Sequence, residues 1–145
     1  MRIAILNKYQ FKVNRGAETY VVELAKRLSV RHEVDILTKI NLHKKYDVVI
    51  PTNGRLQVFI VRVLTWITGA KMVVSGQSGM GWDDRLNLYA LPNAFIALSN
   101  KALGWAKKVN PLVKSVYIPN GVDLDRFTAK PATKSQKLKT ILSVG

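Results

Sequence analysis

The stretch RIAILNKYQFKVNRGAETYVVELAKRLSVRHEVDILT, residues 2–38, decides the fold. Its two ends, RIAILN (2–7) and HEVDILT (32–38), are short apolar runs of strand length. Between them, residues 17–30 place Ala17, Val21, Leu24, Ala25 and Leu28 on one helical face, with Glu18, Lys26 and Arg27 elsewhere. Strand, helix, strand in so few residues is a crossover unit, and such units build parallel sheets wrapped by helices.

The same alternation continues downstream. YDVVIP (46–51) reads as a third strand, closed by Pro51 and the turn-forming Asn53-Gly54. Residues 55–68 read as an apolar, buried helix stopped by Gly69, and AKMVVSG (70–76) as a fourth strand leading into a glycine-rich loop. RLNLYAL is expected as a short helix ending before Pro92, and AFIALS (94–99) as a fifth strand whose Ser99 caps a helix over 100–109. KSVYIP (114–119) is a sixth strand. Continuously apolar strands fit a parallel sheet buried on both faces. Ligands on such a sheet sit at the carboxyl ends of the strands, which selects the loops 7–16, 38–45, 51–54 and 75–85.

Composition narrows the class. Apolar residues make up 48% and charged residues 22% of 145 residues, so one globular domain with a proper core is expected. With no cysteine there is no disulfide, thiolate metal site or cysteine nucleophile. MRIAILN is too short an apolar run for a secretory leader, and LQVFIVRVLTWITGA is interrupted by Arg62 and too short for a membrane span. A soluble, cytoplasmic protein is expected, at most peripheral to the inner face of the membrane. The net charge of +14 favours anionic partners such as nucleic acid, lipid head groups or phosphorylated molecules, or else marks a solvated basic surface.

Two loops carry the candidate chemistry. In the first, Asn14 or Gly16 can cap the following helix, Glu18 complements its dipole, and free N–H groups there suit an anion; a plain structural turn accounts for the same residues. In the second, SGQSGMGWDDR, three glycines allow close approach, Gln77 and Ser78 can bind hydroxyls, and Trp82 offers a flat face to a sugar. Gly79 belongs to that loop, Asp83 and Asp84 can accept from hydroxyls, and Arg85 can meet a phosphate. The alternative is a helix N-terminus with an aspartate cap and Trp82 packed inward. No metal is expected: the DLD of 123–125 supplies too few oxygens, and His32 and His43 lack a third ligand. No serine has a histidine partner at a recognisable spacing, and no cofactor is implied. Lys8-Tyr9 with Phe11-Lys12, and Trp105 with Lys107-Lys108, are the nearest approach to a nucleic-acid surface.

The ordered set of RGAE, HEVDILT, YDVVI, SGQSGMGWDDRLNLYALPNAFIALS and IPNGVDLDRF leading into ILSVG resembles the amino-terminal half of a family 4 glycosyltransferase of the GT-B fold. The resemblance covers nearly the whole chain, and the last motif is its most specific part. It implies an α/β, Rossmann-like three-layer domain with a parallel sheet over residues 1–127, a linker over 128–137, and at 138–145 the first strand of a second, donor-binding domain. It also implies transfer of a sugar from a nucleotide-sugar donor with retention, the donor held mostly by that second domain and the acceptor by this one. Gly16, Glu18, Gln77, Ser78, Gly79, Trp82, Asp83, Arg85, Asn120 and Gly121 would then bind substrate, and this chain alone would not turn over. Implied partners are the nucleotide-sugar donor, a sugar or glycolipid acceptor and a peripheral membrane contact; independently, an unpaired apolar strand over 138–144 would favour a homodimer through that strand. Arg15 stands where the family usually has a second glycine, and Gln77 where many members have a histidine. Glutamine binds a hydroxyl but takes no proton, so an acid–base role does not carry over. The alternative is a stand-alone basic Rossmann-like module that binds anionic glycolipid, membrane surface or nucleic acid.

Overall fold

A computed structural model describes residues 1–12, 16–39, 44–77 and 79–121. Asn14, Arg15, His43, Ser78, the linker at 128–137 and the strand expected at 138–145 lie outside the described residues. In chain order the elements are β1 (Arg2–Leu6), α1 (Gly16–Leu28), β2 (Glu33–Leu37), β3 (Val48–Pro51), α2 (Arg55–Thr68), β4 (Lys71–Gly76), α3 (Trp82–Tyr89), β5 (Ala94–Ala97), α4 (Asn100–Val109) and β6 (Ser115–Tyr117). All ten were expected from the sequence. The helix over 55–68 and the helix over 100–109 begin and end where its signals put them, and Ser99 caps α4 by accepting from the Ala102 N–H at 3.0 Å.

The six strands form one parallel sheet in the order β2-β1-β3-β4-β5-β6. The chain moves outward from β1 to β2, returns across β1 to β3, then advances stepwise to β6. The strand order therefore switches direction between β1 and β3, the place where such sheets open a crevice at their carboxyl edge. Right-handed crossovers put α1 on one face and α2, α3 and α4 on the other.

Side chains confirm the two layers. Ile3, Ile5 and Ile50 pack with Val21 and Ala25 of α1, joined by Val48 and Val73. On the opposite face Leu6, Met72, Val74, Phe95 and Ala97 pack with Val58 and Val61 of α2, Leu88 of α3 and Ala106 of α4. Odd and even strand positions thus feed different cores, as the pleat requires. The α1 layer covers only part of its face: Val73, Ser75, Ala94, Ile96 and Val116 stay half-buried there.

Three details depart from the sequence reading. Ala17 is exposed and Glu18 is buried, so the inner face of α1 is rotated by one residue at its start. Gly16 is the first residue of α1 and not the residue before it. The helix read as buried, α2, buries only Val58, Val61 and Thr65 fully, while Leu56, Phe59, Ile60, Val63, Trp66 and Ile67 face outward. A helix that is apolar all round gives no periodicity from which to tell its two faces apart.

Candidate functional site

Parallel strands put every strand's carboxyl end on one edge, so all the loops selected from the sequence meet there. The turn after β3 is anchored first. Thr52 donates from both its N–H and its hydroxyl to the Leu6 carbonyl, each at 3.0 Å. Asn53 accepts at Oδ1 from the Lys8 N–H at 2.6 Å and from Gln57 Nε2 at 3.3 Å, while its own N–H donates to Gln57 Oε1 at 3.0 Å. One amide thereby ties the β1 loop to the start of α2. The loop after β1 is held from beneath by buried Asn7 and Gln10, with the Asn7 Nδ2 donating to Gln10 Oε1 at 3.3 Å and Asn7 Oδ1 accepting from the Tyr9 N–H at 3.0 Å.

Between the β3 turn and the end of β4 lies a cavity of about 230 Å³. Thr52, Asn53, Gly54 and Arg55 form one wall, Ser75 and Gln77 the other, and Asp83, Asp84 and Asn87 of α3 the floor. Gln77 Nε2 donates to the Ser75 hydroxyl at 3.0 Å. Asp84 is buried and accepts at Oδ2 from the Met80 N–H at 3.3 Å, pinning the loop ahead of α3. Asn87 is 4% exposed, its Oδ1 has no hydrogen-bond partner, and its amide sits just under 4 Å from the position a Cβ on Gly54 would take. A buried amide oxygen left without any donor costs about 1–3 kcal/mol, so this acceptor can take a hydrogen bond from a donor in the cavity, water included.

At the mouth Arg55 Nε meets Asp83 Oδ1 at 2.8 Å, and that carboxylate raises the guanidinium further above its ordinary range. Arg55 also holds φ 49, in the left-handed region, directly after Gly54 at φ 51. Left-handed backbone on a residue with a side chain costs of order 1–3 kcal/mol. The contact with Asp83 holds the guanidinium at the cavity mouth. Met80 at φ 72 follows Gly79 at φ 67 on the other side of the same cavity.

Of the residues singled out from the sequence, the structure brings Gln77, Asp83 and Asp84 into this cavity. Gly79, Trp82 and Arg85 sit beside it at the start of α3, where Trp82 is exposed and the Arg85 guanidinium lies 5.7 Å from its ring centre. The helix start itself is capped by Gly81, and Asp84 accepts from the Met80 N–H just ahead of it. Gly16 and Glu18 lie at the start of α1, and Glu18 lines a separate groove with Gln10, Phe11 and Lys12. Asn120 and Gly121 are exposed at the carboxyl end of β6, two strands beyond β4. Ser78 lies outside the described residues. Sequence reasoning misses Arg55 and Asn87 and gives Asn53 only a turn role, although loop 51–54 is among those selected; the signal for Asn87 is its spacing of three from Asp84 on α3.

No family model matches this chain, and no curated protein does. Among solved structures the fold is similar to that of Anabaena Alr3699/HepE in complex with UDP-glucose, with a TM-score of 0.64 over 90% of this chain at 16% sequence identity. The chain spans about half, 47%, of that protein's length. At this identity the likeness establishes the fold, and the α/β Rossmann-like architecture with a parallel sheet is the one expected from the sequence. Among the described residues no group of three or more potential ligands is placed to hold a metal ion, and no helix is long and apolar enough to cross a membrane. The two basic–aromatic segments lie at opposite edges of the sheet: Lys8–Lys12 follow the carboxyl end of β1, whereas Lys107 and Lys108 end α4, where Trp105 is half-buried against the core.

Proposed function

We propose that this chain is the acceptor-side domain of a retaining, family 4-type glycosyltransferase of the GT-B fold, working with a nucleotide-sugar donor held mainly by a second domain. The observation that carries this reading is the cavity at the carboxyl ends of β3 and β4, where amides of Asn53, Gln77 and Asn87 and hydroxyls of Thr52 and Ser75 converge. Such a set pairs with sugar hydroxyls, which both donate and accept. At about 230 Å³ the cavity is below the usual 300–1,000 Å³ of a complete small-molecule site and suits one sugar ring, not a whole nucleotide sugar. The fold shared with a protein solved in complex with UDP-glucose supports the donor class.

In this reading Asn87 and Asn53 orient the acceptor ring, Gln77 holds a hydroxyl, and Arg55, steadied by Asp83, presents positive charge to the phosphates of an incoming donor. No residue of the cavity is assigned a proton-transfer role.

The test is saturation-transfer NMR of simple hexoses and of UDP-glucose with this chain, beside Asn87→Leu. Hexoses should give transfer to the parent and none to the variant, and UDP-glucose should gain affinity only in a polypeptide that also carries the donor-binding half. Equal hexose signals from parent and variant, or a two-domain polypeptide that neither binds nor consumes a nucleotide sugar, would sink the proposal.

A further inference from the structure

The outward face of α2 is the largest unexplained surface of the molecule. Leu56, Phe59, Ile60, Val63, Trp66 and Ile67 fall within an arc of about 120° at roughly 100° per residue. Trp66 is 62% and Ile67 77% exposed. The neighbouring helix extends the patch, because Trp82, Leu86 and Tyr89 of α3 recur at helical spacing on its outer face, and Leu91 follows. Soluble proteins scatter single apolar residues over their surface; a stripe running the length of one helix and onto the next marks an interaction site.

Charge decides among the occupants. Residues 55–68 hold two arginines and no acid, and residues 82–89 hold Arg85 with Asp83 and Asp84, of which Asp84 is buried. Arg62 lies with its guanidinium 4.7 Å from the Trp66 ring centre, and Arg85 at 5.7 Å from that of Trp82, so each tryptophan of the patch carries a cation over its face. The exposed acid bordering α2, Asp83, is engaged by Arg55. A second copy of a chain with net charge +14 would set arginines against arginines. An apolar stripe with tryptophan and tyrosine at its margins and cations interleaved is the pattern of a helix lying in a bilayer interface, its face sunk about 5–10 Å among anionic head groups.

We propose that the outer face of α2, continued by α3, docks this protein on an anionic lipid surface. The glycosyltransferase resemblance implies a peripheral membrane contact as well, whereas this surface needs no sugar chemistry. The N-terminal ends of both helices lie at the carboxyl edge of the sheet, so docking sets the cavity mouth, with Arg55 and Asp83, beside the membrane plane.

The test is co-sedimentation of the chain with phosphatidylglycerol–phosphatidylcholine vesicles and with phosphatidylcholine alone, accompanied by tryptophan quenching from acyl-brominated lipid. Binding should require the anionic lipid and weaken from about 0.1 M to about 1 M salt, as the Debye length falls from about 10 Å to about 3 Å. Bromolipid should quench the tryptophan emission. Trp66→Ser with Ile67→Ser should lower partitioning by roughly tenfold or more, since two large side chains no longer enter the bilayer, with an unchanged thermal midpoint because both are exposed. Full binding by that variant, or binding without quenching, would place the contact elsewhere and overturn the proposal. So would failure of the parent to bind anionic vesicles, or a parent dimer that the double variant dissolves.

Discussion

Gly76 closes β4 against the ring of Phe95, and a single methyl group there tests the packing that positions the cavity loop. A Cβ on Gly76 would lie 2.5 Å from Phe95 Cζ, 3.0 Å from Cε1 and 3.4 Å from Asp84 Oδ2. Phe95 is 1% exposed and Asp84 is buried, so neither can swing into solvent to make room. Overpacking of this kind costs about 1–3 kcal/mol. At about 2–4 °C per kcal/mol for a chain near this size, Gly76→Ala should lower the melting midpoint by roughly 2–12 °C. Urea unfolding should show the loss in the midpoint and not in the slope. Phe95→Leu shortens the ring that the methyl meets and carries a cost of its own of about 1 kcal/mol. If the clash is the cause, the double variant is more stable than the sum of the singles by about 1 kcal/mol or more. Additivity to within about 0.5 kcal/mol, or a Gly76→Ala cost below that figure, would refute the reasoning.

Other outcomes follow from the polar contacts. Asp35 is held below its ordinary 3.8, first by the hydrogen bond from Lys44 at 2.6 Å and then by that from Tyr46 at 2.8 Å. Unfolded chains therefore take up this proton first as pH falls, and the stability present above about pH 4 is lost below it. Asp35→Asn should cost about 0.5–1 kcal/mol at pH 7 and converge with the parent near pH 2, read from urea midpoints across pH. Ser99→Ala removes the cap on the Ala102 N–H and should destabilise by about 1 kcal/mol, checked by thermal melting. Asn87→Leu should leave stability unchanged or raise it by up to about 1 kcal/mol, since it removes an unpaired buried oxygen; a loss above about 2 kcal/mol would mean that the amide is structural.

What was legible in the sequence and what was not divides along physical lines. Strands of a parallel sheet are short apolar runs flanked by turn residues, and every one of the six was found that way. Ser99 and Gly69 mark helix ends because caps are chemistry local to a few residues. Burial is not local. Ala17 and Glu18 exchange places because the entry angle of α1 is set by the sheet, and no pattern within the helix encodes it. The exposed stripe on α2 was read as core for the same reason: an apolar residue reports a preference, while a neighbour decides whether it is satisfied. The cavity loops were selected by topology alone. The pairing of Arg55 with Asp83 joins two separate turns, 28 residues apart, and nothing in either turn announces the other.

The unequal helix layers also set an order of opening. Strands β1 and β3 lie between α1 on one side and α2 on the other, whereas β5 and β6 are covered chiefly by α4 on one side. Amide hydrogens in a parallel sheet exchange only when a strand parts from its neighbour, and the strand with less apolar cover parts at lower cost. Exchange should therefore be slowest at Ile5 and Ile50, faster at Ile96, and fastest at Val116 in the three-residue strand β6. The chain would then hold its fold from the β1–β3 seam outward, with β6 the first part of the sheet to exchange with solvent.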